Sequence, residues 1–576
     1  MVSPNLIKRA EELTPVELNE SAKKLFQVIY SEQNKKEEVD DDIPRIQVSS
    51  LVSRVAFFYE KIRNAVDYEE EHLVRKNAIA RILRRQVMIE GAIIKSAKSG
   101  EIVEHLMDEL IRGGYLPNNS IPETKINEVS VILEKYLRLK DCLSLNMSSV
   151  LNFKTDINRA KDLLNKKNYL IHWLLDLAAC EIEENLAPNL TKQIIVNNLF
   201  DVLSKSIKLP ANLPYEEDLE IQIYLSIGRT YLKLDRDMLS FILFKYYNGE
   251  WAELREKEVL DSEDDQKIKL IADRIEKIDT MVEQQLNHPL AKQLDKIVRV
   301  YALYFSILSE TIESDPTKVY SELQKSEKNF IASLKKVCNE KYKKAKNRLW
   351  KRAGRSIIYI FFTKSIFVFA IELPAVKLFG EAVNWMALAI NISFPAVLLF
   401  FIVLMSRLPG ENNTNKIISG IKEIAFAGKE KKQPIILRKP TKRNIVASIF
   451  FGLIYAASFC FSVYVIIKAL ALLNFNWVSV IIFLFFLAFV SFFSIVVTKG
   501  VKELMIVERK ENLLTFLVDL FYMPITMAGK WLSSSFSKIN VFVFIFDFIL
   551  EAPFKILIDV GEDWTKYIRE RRENME

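Results

Sequence analysis

The stretch IIYIFFTKSIFVFAIEL (Ile357–Leu373) decides how this chain folds. It is apolar enough to enter a bilayer, yet it holds Lys364 near its middle and Glu372 near its end. Before it, the chain is charged throughout and has no long apolar run; after Ser356 the apolar stretches outgrow ordinary soluble helices. Val383–Met405 carries no charge, Ile445–Leu473 carries only Lys468, and Trp477–Thr498 again carries none. A helix needs about 20 apolar residues to cross a hydrocarbon core roughly 30 Å thick. The sequence therefore predicts a membrane domain over 356–500, with spans near 357–373, 383–405, 445–473 and 477–498.

Charge in the loops sets the orientation. Residues 341–355, KYKKAKNRLWKRAGR, hold eight basic residues and no acid, and 406–444 hold ten basic residues against three acids. The other two connections carry only Lys377 and Glu381, or the uncharged NFN of 474–476. Basic loops stay on the cytoplasmic side. That pattern needs Ile357–Leu373 to cross, or to dip and return with the same parity, because otherwise the 406–444 loop would be exported. Both termini are then expected in the cytoplasm, in a plasma-membrane-type location. A mid-span Lys364 costs about 2.5–3.5 kcal/mol on an insertion scale, so it is expected to face helices or water rather than lipid.

The segment FDFILEAPFKILIDVGEDW (Phe546–Trp564) looks similar but reads differently. Asp547, Glu551, Lys555 and Asp559 recur every four residues, which places them on one arc of a helix. Residues 501–576 are therefore expected to form amphipathic helices near 513–528 and 540–560 at the cytoplasmic interface, followed by a charged tail. A hairpin-like insertion and packing on the soluble part stay open as alternatives.

Upstream, the fold class is all-α. Glycines number only fifteen, and no period-two stretch is flanked by hairpin turns. Residues 1–44 read as a helix and an acidic linker, 45–340 as a multi-helix cytoplasmic domain, and 341–355 as a basic juxtamembrane segment. Leu290, Leu294, Ile297, Val298, Tyr301, Tyr304, Phe305 and Leu308 make one helical stripe, and Gly113-Gly114 reads as a helix stop. Tyr224, Ile227, Gly228 and Tyr231 fit the start of a tetratricopeptide helix, but no second copy follows.

Chemistry is sparse. Phosphate-cradling glycine loops and the G-x-S-x-G elbow are missing, and the four cysteines are scattered. Glu69-x-x-His72 is half of a di-metal motif with no second half; Glu101 with His105 and His172 with Asp176 read as local pairs. No catalytic residue, metal site or cofactor is expected. Arg75, Lys76, Arg81, Arg84 and Arg85 read as a solvated face paired with acids rather than a nucleic-acid surface. Lys343, Lys344, Lys346, Arg348, Lys351 and Arg352 are candidate contacts for anionic headgroups, with Trp350, Trp385 and Trp477 as interfacial anchors.

Lys364, Glu372 and Asn391, with Pro395 opening the second span, are the candidate intramembrane polar site. Against a solute path stands the near-absence of polar groups on the third and fourth spans. The first functional reading is therefore a membrane-anchored protein with a cytoplasmic interaction or scaffolding domain, contacting lipid and a protein partner. The alternatives are a small transporter or channel built on the polar site, and an interface enzyme on lipid-linked substrates using Asp547 and Glu551.

Overall fold

The computed structural model describes residues 17–34, 44–63, 70–90, 99–151, 157–210, 213–255, 260–427, 434–440, 445–507 and 512–538, with Val560, Trp564, Tyr567, Ile568 and Arg571 beyond them. The described chain is almost wholly helical; its one ladder pairs Ile207–Lys208 with Ile435–Ile436 in parallel. Asp547, Glu551, Lys555 and Asp559 lie outside the described residues. Two compact units result. A helical unit comprises Glu32–Ala302 with Ile435–Leu437 and Phe546–Glu576; the other, called the membrane unit below, comprises Met1–Ser31, Leu303–Pro434 and Arg438–Ile545.

In the helical unit, α1 (Glu71–Arg84), α2 (Thr124–Leu151), α3 (Ile157–Leu186), α4 (Arg236–Tyr247) and α5 (Ser262–Leu286) surround one apolar core. The most apolar face of α3, running through Leu174, Leu177, Ala178 and Ile182, is buried among α1, α2 and α4. Asp235 accepts from the Met238 amide to start α4, and Asp261 and Asp264 cap α5 reciprocally; such caps are worth about 1 kcal/mol each. The expected stop after Arg112 is present, with Gly114 at a φ of +74° that favours glycine.

The membrane unit contains the four helices long and apolar enough to cross a membrane. The first runs Glu327–Leu378; its leading part, α6 (Glu327–Phe367), is 41 residues long and takes in the whole basic segment, so 341–355 is not a separate element. Its buried positions, Tyr342, Ala345, Leu349, Ala353, Ser356, Ile360 and Lys364, form one stripe that runs from the charged half into the apolar half. The others are α7 (Trp385–Leu404), α9 (Ile445–Leu472) and α10 (Trp477–Lys502). The basic loop between α7 and α9 is not extended: α8 (Glu411–Ala425) buries Ile417, Ile418, Ile421 and Ile424 within it. Asn413 at its start spends all four hydrogen-bonding positions. Its amide donates to Tyr342 Oη at 2.9 Å and Leu504 O at 2.8 Å, and its oxygen accepts from the amides of Ile506 and Val507.

After α10 comes α11 (Leu513–Lys538), longer than the 513–528 segment expected from the sequence. It packs along α10 and against α9.

Candidate intramembrane polar site

Two prolines shape the site. Pro374 has no amide hydrogen, and its ring crowds the carbonyl four residues back. Immediately before it, Val368–Glu372 forms a π-helical turn in which the Leu373 amide donates to Val368 O. Eight regular α-helical steps from Lys364 would turn about 800° and leave Glu372 roughly 80° off its face. A π turn takes in one extra residue, so the segment turns as about seven steps would, roughly 700° and close to two full turns. The bulge thus brings both ionisable side chains to the same buried face. On α7, Pro395 removes the usual amide donor for the carbonyl of Asn391, the third member of the site.

Lys364, Glu372 and Asn391 are each 0 % exposed. The Asn391 amide donates to Glu372 Oε1 at 2.7 Å and approaches Ser479 O at 3.5 Å. Glu372 Oε2, Asn391 Oδ1 and Lys364 Nζ have no hydrogen-bond partner among the described residues. The Lys364 ammonium instead lies 3.8 Å from the Phe486 ring centroid and 5.6 Å from that of Phe367; those rings meet edge to face at 5.1 Å. A desolvated cation–π contact is worth about 2 kcal/mol, well short of the several kcal/mol that taking an ammonium out of water costs. The site therefore contains a buried amine and a half-satisfied carboxyl group that do not pair. No titratable residue lies on α7, and none on α10 before Lys499.

The sequence reading groups these three residues; the structure joins Asn391 to Glu372 and leaves Lys364 over the Phe486 ring. Ser479, Ser491, Ser494 and Thr498 of α10 are all buried. Ser491, Ser494 and Thr498 follow a 3-and-4 spacing along one side of a charge-free span, a signal present in the sequence. Tyr522 of α11 joins them, donating to Ser491 O at 3.2 Å and lying 3.3 Å from Ser494 Oγ, while Ser491 Oγ is unpartnered among the described residues. Toward the α6–α7 and α9–α10 turns, Leu373, Val376, Asn384, Leu388 and Ser479 line a crevice too tight to hold a water. Asn384 and Asn476 tie those two turns together through the carbonyls of Asn474 and Ala382. The site is closed.

The other charged candidates behave differently. Each of the five basic residues on and just after α1 meets an acid from another element: Arg75 with Glu183, Lys76 with Asp235 and Asp237, Arg81 with Glu60, Arg84 with Asp176, Arg85 with Glu109. Paired they are, but not on a solvated face, since Arg75 and Lys76 are buried. Burial pushes the Asp176 and Glu183 carboxyls above their usual range despite the guanidinium beside each. Burial first, then nearby cations, lowers His72 and His172; burial also lowers His288, with Asp218 opposing. Among the described residues no group of three or more His, Cys, Asp or Glu could hold a metal. Lys343, Lys344, Lys346, Arg348 and Lys351 are exposed along α6, whereas Arg352 is partly buried. Trp385 and Trp477 are exposed at the helix starts, and Trp350 stacks edge-on against Phe400.

No family model, curated protein or solved structure matches this chain.

Proposed function

We propose that the membrane unit is a small transporter or channel whose exchangeable ligand, a proton or small cation, is held by Glu372 with Asn391. One observation carries this reading above the anchor-and-scaffold one: Glu372 and Lys364 are fully buried in an apolar helix bundle, each with an unmet polar atom. Unpaired intramembrane charge is costly and marks ion or substrate sites by default. On α10, Ser479 O lies 3.5 Å from the Asn391 amide, a polar contact from a span whose apparent lack of polar groups told against a path.

The geometry suggests a two-position lysine. With a cation on Glu372, the Lys364 ammonium stays on Phe486. When that ligand leaves, the free carboxylate draws the ammonium across, and the ion pair neutralises the empty site. Making and breaking this pair would couple ligand exchange to movement of α6 at its π turn, where hydrogen bonding is already irregular. In this reading the helices of Glu32–Ala302 are a cytoplasmic docking or regulatory part, and the exposed lysines of α6 rest on anionic headgroups.

The test is flux in proteoliposomes of the purified full chain, driven by a gradient of protons, Na⁺ or K⁺. Flux is expected from at least one ion, reduced tenfold or more in Glu372→Gln at unchanged thermal stability. No flux for any of the three, or wild-type flux in Glu372→Gln, would overturn the proposal.

A further inference from the structure

We infer that α11 is a fifth membrane crossing rather than a helix lying on the cytoplasmic surface. The argument starts from Pro524. Proline cannot donate to the carbonyl four residues back, here Leu520. In water such a carbonyl finds a solvent partner; in hydrocarbon it must be satisfied by a neighbour, commonly a serine or threonine hydroxyl. Ser458 Oγ donates to Leu520 O at 2.7 Å, and Ser462 Oγ donates to Phe521 O at 3.1 Å. These are two of the three buried residues on α9, whose other side chains are largely exposed.

The depth follows from helix length. Ser458 is central in the 28 residues of α9, with about 20 Å of helix on either side at 1.5 Å per residue. Half of a hydrocarbon core is about 15 Å, so a spanning α9 places Ser458 near the bilayer midplane and Leu520 beside it. A second contact brackets the depth. Gly529 lies so close to Ala488, central in α10, that a Cβ there would stand 1.9 Å from the Ala488 carbonyl oxygen, so the midplane crosses α11 between Leu520 and Gly529. Small residues permitting close backbone approach are how helices associate in lipid.

Direction is fixed by the same contacts. Tyr522 meets Ser491 and Ser494, and Gly529 meets Ala488, so α11 runs antiparallel to α10. From that level about 20 Å of helix runs on to Lys538 and about 17 Å back to Leu513, each more than the half-thickness, and the helix leaves by the side where α10 begins, which replaces the expectation of a cytoplasmic C-terminus. Asp519 and Lys530 make α11 less apolar than α7, α9 and α10, which is why its composition alone points to an interfacial helix. This inference does not depend on what the polar site carries.

Disulfide trapping in native membranes tests it, using the full chain with Cys460 replaced and the pair Ser458→Cys and Leu520→Cys. A cross-link is expected. Independently, single cysteines from 520 to 530 are expected to resist a membrane-impermeant maleimide from both sides until detergent is added. Labelling from the cytoplasmic side with a period near 3.6 residues, or no cross-link in a normally inserted protein, would overturn the inference.

Discussion

The two units bury charge in opposite ways. In the helical unit, Lys76 is 1 % exposed and sits 2.6 and 2.7 Å from two aspartates. Lys364 of the membrane unit is 0 % exposed, lies over the Phe486 ring and has no hydrogen-bond partner among the described residues. Both lysines lie on helices, and both are taken out of water. The difference is the partner. A buried charge whose partners are built in fixes one arrangement of the chain; under the proposed function, Lys364 is instead left to exchange its partner.

Substitutions can break the contrast. The largest stability effect is expected at Lys76→Ala, which strands two carboxylates beside Asp176. Losing one partner of a buried pair costs about 3–5 kcal/mol; partial exposure of Asp235 and Asp237 puts this one near about 3 kcal/mol. Denaturant unfolding of the helical unit, followed by hydrogen exchange in α1 and α4, measures it. A loss below about 1 kcal/mol, the scale of a surface pair, would mean that pairing does not distinguish the two lysines.

The smallest effect is a pH dependence of the helical unit. His72, His172 and His288 have folded pKa values below the ordinary 6.5. Their contribution is fully present above 6.5 and is lost as pH falls through the lowered folded values, because the unfolded chain then binds more protons. The raised carboxyls of Asp176 and Glu183 act the other way at lower pH. From pH 7 to 5.5, wild type should therefore lose more stability than a variant with all three histidines changed to glutamine. Equal losses would assign the dependence elsewhere.

Much of this was legible in the sequence because lipid imposes simple rules. Four apolar runs announce four helices, and Lys364, Glu372 and Asn391 stand out as polar groups in apolar company. What the sequence hid has particular causes. The sequence reading puts Lys364 and Glu372 two turns apart on one face, but the π turn that aligns them depends on how the chain accommodates Pro374, which no periodicity reports. The serines of α10 are small enough to pass for filler until the helix has a buried face. The α1 cations looked solvent-facing because their acids come from distant segments, up to Asp237. And α11 carries enough polar residues to resemble a surface helix, since its support comes from hydroxyls on α9.

The account is tested most directly by Lys364→Met, a substitution of similar shape without charge, in which thermal unfolding and proteoliposome flux are measured on the same preparation. If the unpaired lysine is functional, the melting temperature holds or rises, as expected when a buried charge is replaced by an apolar side chain, and flux falls at least tenfold. Unchanged flux, or collapse of the fold, would contradict it.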